Sequence, residues 1–313
     1  MSDVDPPRRP IDPLTERDDV VAAFQIEGEQ VRGRIVRLGP AIDAILAAHD
    51  YPESVAALLG EAVLLAALVG HSLKFDGKLI VQANGEGPVR LLAADYETGG
   101  GLRGLAQFDA ERVRELELDV RDAGAAHLLG DTPLAMTIDQ GPDFDRYQSL
   151  AAIEGRSLAD TAESYFRDSE QVPTRISLAV ARVTANDEPP HWRAGGALLQ
   201  RIAPDEARGD TDEAWERSQI LFETLTPEEL VDPTLSSAQL LYRLFHEDGV
   251  RVFPPTPLAH HCGCSSRRIA RVLASFPRDE VAAMAEGDGS VRVTCEYCNT
   301  DYRFTLAEIT GAR

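Results

Sequence analysis

All four cysteines of this 313-residue chain lie in its last 61 residues, as Cys262-Gly-Cys264 and Cys295-Glu-Tyr-Cys298. Two close pairs of thiolates, each presented by a tight turn, are the donor set of a tetrahedral zinc; the intervening 30 residues are enough chain to fold back and join them. The second pair sits in a plausible hairpin, since Val291 and Val293 alternate into it and Tyr302 and Phe304 alternate out of it. The first pair precedes Ser265 and Ser266, either of which could cap a helix running through Ile269, Val272 and Leu273 to Phe276, with Pro277 ending it. That places Cys264 near a helix N-terminus and close to Arg267 and Arg268, two features expected to lower its thiol pKa.

A segment of this size buries a thin core, worth at most ~3–5 kcal/mol. A zinc held by four thiolates adds on the order of 10–16 kcal/mol of apparent binding energy to folding. The segment is therefore expected to unfold without its metal. Two readings of the metal stay open: an inert structural zinc, or a zinc-held redox switch. The single residue between Cys262 and Cys264 favours the switch, because so close a pair can close on itself when oxidised and destroy the site. His260 and His261 are taken as surface residues, four thiolates being already at hand.

The elements that must position this site follow from composition and periodicity. Thirty-one basic residues stand against 52 acidic ones, a formal charge of −21, which argues against nucleic-acid or anionic-membrane partners. Only two of the basic residues are lysine, Lys74 and Lys78. At 43% hydrophobic the chain can build a real core. Its longest apolar stretch, Ser54 to Gly70, is interrupted by Glu61 and falls short of the ~20 residues that cross a bilayer. The N-terminus has no apolar core of a secretory signal, so a cytoplasmic location with reduced thiols is expected.

Residues 1–18 read as a flexible tail. Val20–Ile26 and Val31–Leu38 alternate as strands, while Ala41–Asp50 and Val55–Leu73 have helical spacing, the latter apolar nearly all round. Lys78–Ala83 and Val89–Ala94 read as a hairpin on an Asn84-Gly85 turn with positive φ at both residues. Gly85-x-Gly87 lacks the third glycine and the helix of a nucleotide site, Arg90 standing where that glycine would be. Leu134–Asp139 and Arg175–Thr184 read as strands, and Leu150–Ser169 as one or two helices. Strands in runs with a few long helices give an α+β fold with a mixed core over 19–204. Residues 205–252 form an acidic helical linker: 205–248 holds twelve acids against three arginines, and helices so short are marginal without docking. Residues 253–313 are the zinc-binding domain that carries the four cysteines.

Taken together, these residues resemble the heat-shock protein 33 family, over nearly the whole length of the chain. The resemblance rests on Cys262-x-Cys264 and Cys295-x-x-Cys298 near the C-terminus, on Leu59-Gly-Glu-Ala62, on Phe75-Asp-Gly-Lys-Leu-Ile-Val-Gln-Ala-Asn-Gly-Glu-Gly87 and on Tyr165-Phe-Arg-Asp-Ser-Glu-Gln-Val-Pro-Thr174. It continues through Ala194-Gly-Gly-Ala-Leu-Leu-Gln200 and Leu240-Leu-Tyr-Arg-Leu-Phe-His-Glu247. One departure is Ser266 in Cys264-Ser-Ser-Arg-Arg268, where a charged residue often stands; it leaves the metal site unaffected. The resemblance implies a redox-regulated, ATP-independent holdase, not an enzyme. Reduced, Cys262, Cys264, Cys295 and Cys298 hold one zinc and the chaperone is off. Oxidation forms the Cys262–Cys264 and Cys295–Cys298 disulfides and releases zinc. The zinc domain and linker then lose structure, and the active homodimer holds unfolded or oxidatively damaged clients.

Competing readings are weaker. A zinc-ribbon nucleic-acid protein conflicts with the charge. A zinc deaminase needs Pro-Cys-x-x-Cys, but Thr294 precedes Cys295, and the only nearby acid–histidine run is His246-Glu247-Asp248. A thioredoxin-like oxidoreductase needs its Cys-x-x-Cys at a helix start, whereas Cys295 and Cys298 lie between strands.

Overall fold

The computed structural model describes residues 18–27, 30–120, 124–153, 157–184, 189–202 and 212–311. The tail expected over 1–18 and the start of the linker, 205–211, lie outside these but for Asp18. The chain separates into two compact units at His260/His261.

Unit 1 opens with β1 (Val20–Ile26), β2 (Val31–Leu38), α1 (Pro40–Leu46) and α2 (Glu53–Ser72), then β3 (Lys78–Asn84), β4 (Val89–Glu97) and β5 (Gly101–Phe108). It continues through α3 (Ala110–Asp119), α4 (Ala125–Leu129), β6 (Pro133–Asp139), β7 (Tyr147–Ala152), α5 (Leu158–Asp168), β8 (Thr174–Val183) and β9 (His191–Arg201). It ends with α6 (Asp212–Phe222), α7 (Pro227–Val231), α8 (Ser237–Phe245) and the short strands β10 (Val250–Val252), β11 (Thr256–Pro257) and β12 (Ala259–His260). One sheet has the order β10-β1-β2-β9-β8, with β11 also on β1; the other runs β12-β5-β4-β3-β6-β7. The result is the α+β class expected, antiparallel throughout except where β12 joins β5.

Helix α2 packs against both sheets, with fourteen of its twenty residues buried. At twenty residues it is long and apolar enough to cross a membrane, longer than the stretch expected from sequence, but 78% of its apolar window is buried inside the protein. It is a core helix. Its residue Glu61 accepts from the Leu158 amide at the start of α5 (2.9 Å). Burial pushes that carboxyl up to about 7. The period-2 pattern of β1 serves both faces of its sheet: Val21 joins the α2 core, while Ala22, Phe24 and Ile26 face a second core. That second core is completed by Trp215, Phe222, Leu230, Leu240, Leu244 and Phe245 of α6–α8.

Several expectations need correction. Leu150–Ala152 is not helical: it belongs to β7, because β6 offers a free edge, and pairing outweighs local propensity. The helix starts only at Leu158, where Ser157 and Asp160 form a capping box. The first helix ends at Leu46 rather than Asp50. The β3–β4 hairpin exists, but neither Asn84 nor Gly85 has positive φ. Its glycines answer a close approach instead: a Cβ on Gly85 would stand 2.0 Å from the Leu129 carbonyl oxygen, and one on Gly87 2.4 Å from that of Leu128. Residues 253–260, grouped by composition with the cysteines, pair through β11 and β12 onto both sheets of unit 1. Thr256 there lies 3.3 Å from His71 Nε2, whose Nδ1 accepts from Arg34 Nε (3.2 Å). Burial, with Arg34 adding to it, holds His71 down to about 4.

Unit 2 comprises α9 (Ser266–Ala274), α10 (Arg278–Ala283), the hairpin β13 (Ser290–Thr294) and β14 (Asp301–Thr305), and α11 (Leu306–Gly311). Its buried core is seven apolar residues, Ala270, Leu273, Ala274, Val281, Val291, Phe304 and Ile309.

Candidate metal centre

The β13–β14 hairpin closes through a knuckle in which the Cys295 amide donates to the Thr300 carbonyl (2.9 Å) and the Asn299 amide to that of Cys295 (2.8 Å). Asn299 takes φ +56°, a left-handed conformation that asparagine tolerates better than most residues. These bonds hold Cys295 and Cys298 on one turn. On the other side, Ser265 is the N-cap of α9, its hydroxyl accepting from the Arg268 amide (3.2 Å). Cys264 therefore stands one residue before the cap; the helix ends at Ala274, short of the expected Phe276, and Pro277 precedes the start of α10.

The four sulfurs lie within 4.8 Å of one another, each residue half-buried. The Cys262–Cys295 separation is 3.6 Å and Cys264–Cys298 is 3.4 Å. A tetrahedral zinc with bonds of ~2.3 Å separates its sulfurs by about 3.8 Å, so the spacing fits. Among the described residues no histidine joins the cluster. His261 is exposed, and His260 is half-buried in β12.

The electrostatics favour a cation. Burial first, then its sulfur neighbours, pushes Cys262 up to about 12. Burial also raises Cys264, contrary to the lowering expected from the helix N-terminus and the two arginines. Cys298 alone is lowered among the shifted thiols: burial pushes it up, but the Thr300 hydroxyl and amide and the Cys264 and Cys295 thiols bring it down to about 7. One thiol ionises readily, and each further negative charge within 4.8 Å is repelled by it. Four thiolates coexist only around a positive ion.

Sequence reasoning found all four cysteines but missed the hydroxyls beside them. Tyr302 Oη lies 3.2 Å from Cys264 Sγ, and Thr300 Oγ1 3.3 Å from Cys298 Sγ. The alternation that put Tyr302 in β14 was visible; its reach to a sulfur was not. Such outer contacts orient metal ligands and tune their basicity.

The profile of the Hsp33 protein family matches residues 19–305. A 33 kDa chaperonin of Caulobacter vibrioides is 56% identical over 286 residues, covering 91% of this chain and 94% of the relative. One from Ectopseudomonas mendocina is 38% identical over 295 residues, covering 93% and 94%. The crystal structure of the 33 kDa chaperonin (Hsp33 homologue) of Thermotoga maritima superposes with a TM-score of 0.73, covering 94% of this chain and 97% of that one; at 21% identity it speaks to the fold.

Proposed function

The chain belongs to the Hsp33 protein family, and on that premise we propose that it is a redox-regulated, ATP-independent holdase. Its relatives bear the name chaperonin, which supports a chaperone function; the redox switch goes beyond that name. The observation that carries it is the cluster of four sulfurs in a unit with only seven buried apolar residues. Cys262, Cys264, Cys295 and Cys298 would hold one zinc, which supplies the positive charge that lets four thiolates coexist.

With hydrogen peroxide as the oxidant, each of the thiolate pairs Cys262/Cys264 and Cys295/Cys298 gives two electrons to one peroxide, which takes two protons from water, so that one disulfide and two waters form. Sulfurs of different pairs stand 3.6 and 3.4 Å apart, Cys262 by Cys295 and Cys264 by Cys298, so disulfides formed within each pair dismantle the arrangement. The donors are lost, zinc leaves, and the remaining core of unit 2 is too thin to keep it folded. The acidic linker 205–252 then loses structure, and the uncovered apolar surface holds unfolded clients, with a homodimer as the active form. The setting is the cytoplasm, where thiols are kept reduced until stress. No nucleic-acid, membrane or enzymatic role is invoked.

The test follows light scattering from a chemically denatured client, with the reduced zinc-loaded protein and the peroxide-treated protein side by side. Holding should appear only as one zinc leaves and four thiols disappear. Full holding by the reduced form, or zinc loss with none, would refute the switch.

A further inference from the structure

The Ala194-Gly-Gly-Ala197 run serves a purpose in the fold that the metal chemistry does not require. A Cβ on Gly195 would lie 2.1 Å from the carbonyl oxygen of Leu230 and 2.7 Å from its carbon. Only glycine lets the last turn of α7 rest with its backbone directly on β9. Directly opposite Gly195 in the β2–β9 register is Arg37, 2% exposed. Its Nη1 donates to the Glu229 carbonyl (3.3 Å) and its Nη2 to that of Asp232. Two residues before Gly195, Arg193 is 4% exposed; its Nε donates to the Val231 carbonyl (2.7 Å) and its Nη2 to the Asp18 carboxylate (2.5 Å). The Asp232 carboxyl sits below the usual carboxylate range, chiefly through Thr234, with the field of both arginines adding to it.

The last carbonyls of a helix have no partner within it. Here three carbonyls around the end of α7 are taken by two buried guanidiniums over a glycine cut to receive them. We infer that Arg37, Arg193 and Gly195 form a seat for the C-terminal turn of α7, and that this seat is the point at which segment 212–245 is held to or released from the core. The inference rests on the proposed loss of structure in that segment. Apolar contacts along α6 and α8 can loosen by degrees. Charged hydrogen bonds to buried carbonyls do not: once lengthened, they admit water, and the seat opens as a unit.

The test uses the full-length, reduced, zinc-loaded protein, with hydrogen exchange read by mass spectrometry in Gly195→Ala and Arg37→Lys. The first fills the seat; the second keeps the charge but not the fork that spans two carbonyls. Amides of 227–245 should exchange at least ~10-fold faster in both, while β3 and β4 exchange at wild-type rates and zinc content is unchanged. Wild-type exchange in 227–245 overturns the seat. So does acceleration spread evenly through β3 and β4, which would mark general destabilisation. Should Gly195→Ala fail to fold, Arg37→Lys decides on the same criteria. Client holding without oxidant is measured in the same samples. Fast exchange without holding would leave the seat standing and refute instead the step in which release exposes a client surface.

Discussion

Helices α2 and α9 hold their units together in different ways. Fourteen of the twenty residues of α2 are buried between two sheets, whereas α9 buries only Ala270, Leu273 and Ala274 of its nine. Unit 1 is stabilised by area, spread over many side chains that no single reagent removes. Unit 2 has only seven buried apolar residues, and beside them four sulfurs within 4.8 Å of one another. On the proposed switch, a stability concentrated in four oxidisable atoms is cancelled by chemistry, while its neighbour in the same chain stays folded.

The strongest challenge to this contrast is the double variant Cys262→Ser with Cys264→Ser. It should lose stoichiometric zinc and unfold unit 2, an effect of ~10 kcal/mol. In hydrogen exchange, 266–309 should lose protection while α2 keeps it; protection surviving in 266–309 would end the comparison. Next in size is Leu64→Ala, at the fully buried middle of α2. A cost of ~3–4 kcal/mol in urea unfolding of unit 1 is expected, with zinc affinity unchanged.

Glu61→Gln tests a pH dependence confined to unit 1. Its carboxyl is raised from 4.5 to about 7. Below pH 4.5 it is protonated whether folded or not. As pH rises to 7 the unfolded chain ionises first, and stability is lost. The variant should therefore match the wild type at pH 4 and exceed it by ~2–3 kcal/mol above pH 7, seen in denaturation midpoints across that range. The smallest effect sharpens the contrast most. Ser265→Ala and Ser157→Ala each remove a helix cap worth ~1 kcal/mol. On the proposal that metal binding and folding are one process in unit 2, Ser265→Ala should weaken zinc about fivefold in a chelator titration, and Ser157→Ala should leave it unchanged.

The same contrast explains what was legible in the sequence. The four-cysteine cluster was, because its signal is local: two cysteine pairs, a capping serine and a hairpin, all visible within short windows. The direction of the Cys264 shift was not, since it is set first by burial, which exists only once the unit has folded. In unit 1 the strongly periodic β1, β2 and α2 were readable. The glycine-bearing β5 and β9 were not read as strands, and β7 was taken for helix, because pairing rather than local propensity decides each: β5 with β4, β9 with β2, β7 with β6. The glycines at 85 and 87 were noticed, but their reason, the end of α4, lies over forty residues on.

The pairing of β2 with β9 also sets a clock on synthesis. Leu38 waits for Ala194, and at ~5–20 residues per second a ribosome takes roughly 10–30 s to deliver it. The strands β3 to β7 are nearly contiguous in the chain and can close while that wait runs. Through it, the outer face of the β1–β2 hairpin, with Phe24 and Ile35, has neither β9 nor the helices that later cover it. For that interval the nascent chain is itself an aggregation-prone polypeptide, of the kind that holdases bind.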